Sequence, residues 1–87
     1  MLESIKLALR IKNDAYDLEI IDLIASAKKD MSISGVKIVE ETDALIKRAI
    51  TMYAKANFGV GNDESEKWQK AYNALKEHLA LAGDYDV

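Results

Sequence analysis

The chain contains no cysteine and no proline, only one histidine and one tryptophan among 87 residues, and no apolar run long enough to span a bilayer. Without cysteine there is no disulfide, no thiolate metal site and no cysteine nucleophile, so stability must come from a hydrophobic core or from a partner chain. Such a composition suits synthesis in a reducing compartment. Glu3 stands between Leu2 and Ser4, so the start of the chain does not read as a signal peptide, and a cytosolic product with no membrane association is expected. A net charge of -3 denies it the broadly basic surface that a free-standing DNA binder needs.

What is present is helical periodicity. A chain of this length makes one domain, residues 1–87, with an expected radius of gyration of about 12 Å and a thin stability margin. With proline absent, Gly35, Gly59, Gly61 and Gly83 carry the punctuation, each beside the end of an apolar-periodic stretch. Together with a polar turn near Asn13 they divide the chain into four helices. The sequence therefore predicts an all-α, small four-helix domain with a central apolar second helix and a longer loop between helices two and three.

The first helix is expected over about Leu2 to Arg10. The second runs from Ala15 or Asp17 to Ile33, with Asp14 as its N-cap and with Asp17 and Glu19 near the positive end of the helix dipole. Its apolar residues, Leu18, Ile20, Ile21, Leu23, Ile24, Ala25, Ala27 and Met31, cover an arc of roughly 220° at about 100° per residue. An arc that wide needs cover from two sides, which makes this helix central or leaves part of it to a neighbouring subunit. Gly35 ends the helix, and Val36 can add the apolar contact that accompanies such a cap. The segment Val36-Lys37-Ile38-Val39 reads as a loop or a short extended piece, since no partner strand exists.

Helix three is expected over about Asp43 to Phe58, capped by Thr42 or Asp43. Leu45, Ile46, Ala49, Ile50, Met52, Tyr53 and Ala56 form its apolar side, with Lys47, Arg48, Thr51 and Lys55 opposite. Helix four starts near Asp63, where Asp63 and Glu66 have the spacing of a capping box. Trp68, Ala71, Tyr72, Leu75, Leu79 and Ala82 then form a narrow docking stripe, from which Leu81 departs.

Catalytic and cofactor chemistry find no support. The positions one turn from His78 are Ala74, Leu75, Leu81 and Ala82, which can neither ligate a metal nor exchange a proton. The glycine turn before helix four lacks a phosphate-binding lysine and is followed by Asp63, Glu64 and Glu66. No catalytic residue, metal or cofactor is therefore expected. The basic stripe of helix three could touch phosphates, but the Gly35 to Thr42 connection is about twice a helix-turn-helix turn. Tyr53, Phe58, Trp68 and Tyr72 stand at core spacing and read as packing rather than as a base-stacking platform.

Charge alternates along the chain. Met1 to Lys12 holds three basic residues and one acid, and Asn13 to Ser34 two basic and five acidic. Gly35 to Asn62 holds four basic and three acidic, and Asp63 to Val87 three basic and six acidic. Such alternation favours packing of neighbouring segments within a chain or between copies.

Four stretches carry a resemblance. They are Ile5-Lys-Leu-Ala-Leu9-Arg10-Ile11, then Asp17-Leu-Glu-Ile-Ile-Asp-Leu-Ile24, then Leu45-Ile46-Lys-Arg-Ala49-Ile50 with Tyr53, and finally Trp68-x-x-Ala-Tyr72-x-x-Leu75-Lys-x-x-Leu79 to Gly83-Asp84-Tyr85. In that order the chain resembles the head-tail connector (adaptor, or DNA-packaging) proteins of tailed phages. The resemblance implies a non-enzymatic adaptor that forms a ring of its own copies, dodecameric in the particle. The ring would dock on the portal protein, carry the next connector or tail protein, and surround passing DNA without reading its sequence. It implies assembly in the host cytoplasm and residence at the virion head-tail junction.

Candidate interface residues are Val36, Lys37, Ile38 and Val39 in the loop, Lys47, Arg48 and Lys55 on helix three, and Asp84, Tyr85 and Asp86 in the tail. Many relatives carry a basic residue in the last helix or tail, whereas this chain ends Asp84-Tyr85-Asp86-Val87. The same wide arc and charge alternation would serve an obligate helical dimer. A small helical regulatory or DNA-associated domain is therefore the alternative.

Overall fold

Four helices follow one another in a computed structural model that describes residues 1–37, 39–59 and 63–82. They are α1 Leu2–Leu9, α2 Asp17–Ile33, α3 Ala44–Asn57 and α4 Ser65–Leu81. No strand occurs among the described residues, and the chain is all-α. The radius of gyration is 12.6 Å.

Each boundary has a local cause. Asp43 accepts hydrogen bonds from the backbone N–H of Leu45 (2.9 Å) and Ile46 (3.2 Å), which satisfies two of the orphan donors at the start of α3. At the end of α2, Gly35 adopts φ +105°, Val36 N–H donates to Met31 O at 2.9 Å and Gly35 N–H to Ser32 O at 3.2 Å. This pair of bonds is a Schellman cap, and the buried Val36 and Met31 share the same apolar cluster.

The first helix ends in the same way without a glycine. Arg10 sits at φ 61°, ψ 39°, while its N–H donates to Leu7 O (3.1 Å) and that of Ile11 to Lys6 O (2.9 Å). A side chain in the left-handed region costs about 1–2 kcal/mol, and glycine recovers part of that against its greater freedom when unfolded. Arg10→Gly is expected to raise stability by about 0.5–1 kcal/mol, seen as a higher urea midpoint with unchanged helicity.

Two expected caps are replaced by other contacts. Asp14 does not cap α2, whose N-cap position is Tyr16 without a side-chain bond. Asp14 is drawn instead to the buried Lys6, at 2.8 Å. The Asp63–Glu66 box does not form either, because α4 begins one residue later with Glu64 at the N-cap and Glu66 pairs with Lys70 at 3.3 Å.

The core lies among all four helices. Ile5, Ile20, Ile24, Ala27, Met31, Val36, Ile46, Ala49, Ile50, Ala54, Tyr72 and Leu79 form one buried cluster. The helix that packs on the other three is α3, not α2: it meets α4 most extensively, then α2 and α1. The buried residues of α2, namely Ile20, Ile24, Ala27 and Met31, form a single stripe at i, i+4, i+7 and i+11. The expected central helix is thus third in the chain, and Leu18, Ile21 and Ala25 of the α2 arc are exposed.

Candidate assembly surface

Three polar links hold the outer surfaces in place. Lys6 is only 5% exposed, and its Nζ bonds Asp14 Oδ1 at 2.8 Å and lies 2.9 Å from Asp17 Oδ1. The second contact is ionic, without hydrogen-bond alignment, so that buried Asp17 oxygen has no hydrogen-bond partner. The hydrogen bond to Asp14, more than the neighbouring Asp17, raises the pKa of Lys6 and holds that of Asp14 below the usual carboxylate range. A buried ammonium thereby ties α1 to the start of α2.

At the other end of α2, Asp30 Oδ2 accepts from Tyr72 Oη (2.6 Å) and Lys76 Nζ (2.9 Å), linking α2 to α4. The Tyr72 bond, then Lys76, keeps Asp30 ionised to lower pH than usual, while burial first and Asp30 second push the phenol upward. The Tyr72 ring is wholly buried and meets Tyr53 edge-on at 5.2 Å, and Tyr16 meets Phe58 in the same manner at 5.5 Å. Lys28 pairs with Glu41 at 2.8 Å and ties the loop after α2 back to that helix, which lowers the Glu41 pKa.

The residues singled out in the sequence separate on this scaffold. Val36 is fully buried and belongs to the core, so it offers nothing to an outside partner. Val39 is half-buried and packs against the core cluster, and Lys37 is exposed. Ile38, Asp84, Tyr85 and Asp86 lie outside the described residues. On α3, Lys47 and Arg48 are exposed and line a shallow depression with Ala44 and Thr51. Lys55 is apart from them, half-buried with its ammonium 4.4 Å from the centre of the Trp68 ring. It binds α3 to α4.

The apolar arc of α2, which the sequence reading left either to a central position or in part to a neighbouring subunit, is divided by the fold into a buried stripe and exposed residues. Leu18 is 83% exposed and Ile21 48%, and with the exposed Ala25 they follow one line on α2 opposite its buried stripe. Ile33 extends the exposed side at 74%, and Leu81 ends α4 at 88%. The signal was present as the excess width of the α2 arc, since the buried stripe uses only part of it. Around Leu18 and Ile21 stand the exposed carboxylates Glu19 and Asp22.

Among the described residues no group of three or more histidine, cysteine or acidic side chains is placed to hold a metal ion, and His78 is exposed. No described helix is long and apolar enough to cross a membrane.

Comparison with known proteins adds one finding. Residues 1–86 match the model of a family described as phage connector protein. No curated protein and no solved structure matches the chain. Connectors are structural components of the phage head-tail assembly, not enzymes. Matched over nearly its whole length, and built as four helices with apolar side chains left open at the surface, the chain belongs to the phage connector protein family.

Proposed function

We propose that the chain is the structural adaptor of a head-tail connector. Copies form a ring that docks on the portal, joins it to the next connector or tail component and lines part of the DNA channel. Assembly takes place in the host cytoplasm, and the ring remains at the head-tail junction of the virion. Within the family, the observation that carries this reading is the outward face of α2. Leu18 and Ile21 stand in solvent on a rigid helix, although burying a leucine or isoleucine side chain is worth about 1.5–3 kcal/mol. A partner surface is the natural place for them.

The test is reconstitution with the portal of the same phage. Native mass spectrometry of the mixture is expected to show the portal carrying a closed set of copies of this chain. Absence of any portal complex would overturn the reading, and so would a free dimer that binds duplex DNA with a steep salt dependence. A monomer in isolation is compatible with it, since the portal can template closure.

A further inference from the structure

From the two outward helix faces we infer how one copy meets the next, an inference that rests on the ring reading above. The N-terminal half of α2, with Leu18 and Ile21 flanked by Glu19 and Asp22, seats on the N-terminal half of α3 of a second copy. There it meets Leu45, Lys47, Arg48 and Thr51.

Among the described residues, both surfaces carry exposed side chains. Leu18, Ile21 and Leu45 are exposed apolar residues. Glu19, Asp22, Lys47 and Arg48 are exposed, and none of them has an ion-pair partner among the described residues. The two faces complement each other. One is a ridge of aliphatic side chains with carboxylates beside it. The other is the shallow depression lined by Ala44, Lys47, Arg48 and Thr51, which brings two exposed cations together with two small residues. Glu41, near the Lys47 end, is already engaged by Lys28 and so leaves Lys47 and Arg48 both available as cations.

The same features decide the symmetry. A two-fold contact of α2 on α2 would set carboxylates against carboxylates, and α3 on α3 would oppose cations. Nor can one partner cover both faces of a copy, because α2 and α3 pack on each other through their buried stripes and their outer faces point apart. A contact between unlike faces pointing apart is head-to-tail, and it yields a ring wherever the rotation closes.

The test uses full-length chains and portal, with two charge-reversed variants. One is Glu19→Lys with Asp22→Lys, and the other is Lys47→Glu with Arg48→Glu. All four positions are exposed, so both variants are expected to keep wild-type helicity and thermal midpoints within a few degrees. Each alone is expected to lose ring formation on the portal at least tenfold in midpoint concentration. Their equimolar mixture should regain it, because every junction then pairs a basic face with an acidic one. Independently, Leu18→Cys combined with Thr51→Cys in this cysteine-free chain should give a ladder of covalent oligomers on oxidation. Wild-type behaviour of either variant alone, failure of the mixture to recover, or absence of the ladder would overturn this interface while the adaptor reading stood. Failure of the wild-type chain to join the portal would overturn both.

Discussion

Tyr72→Ala is expected to remove about half of the stability of the fold. The ring is wholly buried, packs edge-on against Tyr53 and carries a hydroxyl that donates to Asp30 across the α2–α4 junction. Removing a buried aromatic ring costs about 3–5 kcal/mol through lost burial and the cavity left behind, and a domain of this size holds roughly 5–10 kcal/mol in all. At about 4–8 °C per kcal/mol, the midpoint should fall by about 15 °C or more, read by circular dichroism at 222 nm. Tyr72→Phe separates the two contributions. It keeps the ring and removes one hydrogen bond to a carboxylate still held by Lys76, so a loss of about 1 kcal/mol is expected.

The phenylalanine variant should also change the pH profile, with a definite sign. The native partners depress the Asp30 pKa, so the stabilisation from this carboxylate is complete above its unfolded value and disappears as pH falls through the lower folded one. Tyr72 is the largest contributor to that depression. The variant should therefore lose less stability between neutral and acid pH than the wild type does. Equal acid losses in the two proteins would show that Lys76 alone sets the Asp30 carboxyl.

Ile50→Ala should be nearly as damaging, for a reason that lies in the topology. Ile50 is fully buried on α3, the helix against which the other three all pack. A cavity there loosens the scaffold common to every helix pair, and a loss of about 3–4 kcal/mol is expected, seen as a lower urea midpoint at an unchanged slope. Ile21→Ala provides the contrast, since half-exposed Ile21 lies outside the core cluster and its truncation should move the midpoint by less than about 0.5 kcal/mol. An Ile21→Ala loss comparable to that of Ile50→Ala would place Ile21 in the intrachain core and remove it from the assembly surface.

How far the sequence foretold these elements depended on the range of the forces involved. The second and third helices fall nearly where apolar spacing placed them, and Asp43 caps α3 because an N-cap acts within three residues. Asp14 fails as a cap because Lys6, eight residues away in the chain, offers it a stronger partner, and no local pattern reveals that competition. Arg10 in the left-handed region has no sequence signature, since the usual sign of such a cap is glycine. The α2 arc was legible as too wide. Which side turned inward was not, because the hub is decided by how small residues such as Ala49 and Ala54 let neighbouring helices approach α3. Val36 makes the apolar contact expected after the Gly35 cap and is thereby taken into the core and away from the interface set, while Lys55 separates from Lys47 and Arg48 because Trp68 lies beneath it.

The order of packing around α3 also bears on the time course of assembly. Three of the four main helix contacts, α1 with α2, α2 with α3 and α3 with α4, join elements consecutive in the chain, and the fourth skips a single helix. Helical topologies with such local pairing fold in microseconds to milliseconds, because little loop entropy is lost before contacts form. Each copy can therefore be fully structured long before it meets another at micromolar concentration. On the proposed ring reading, encounter and not folding would then set the pace of assembly.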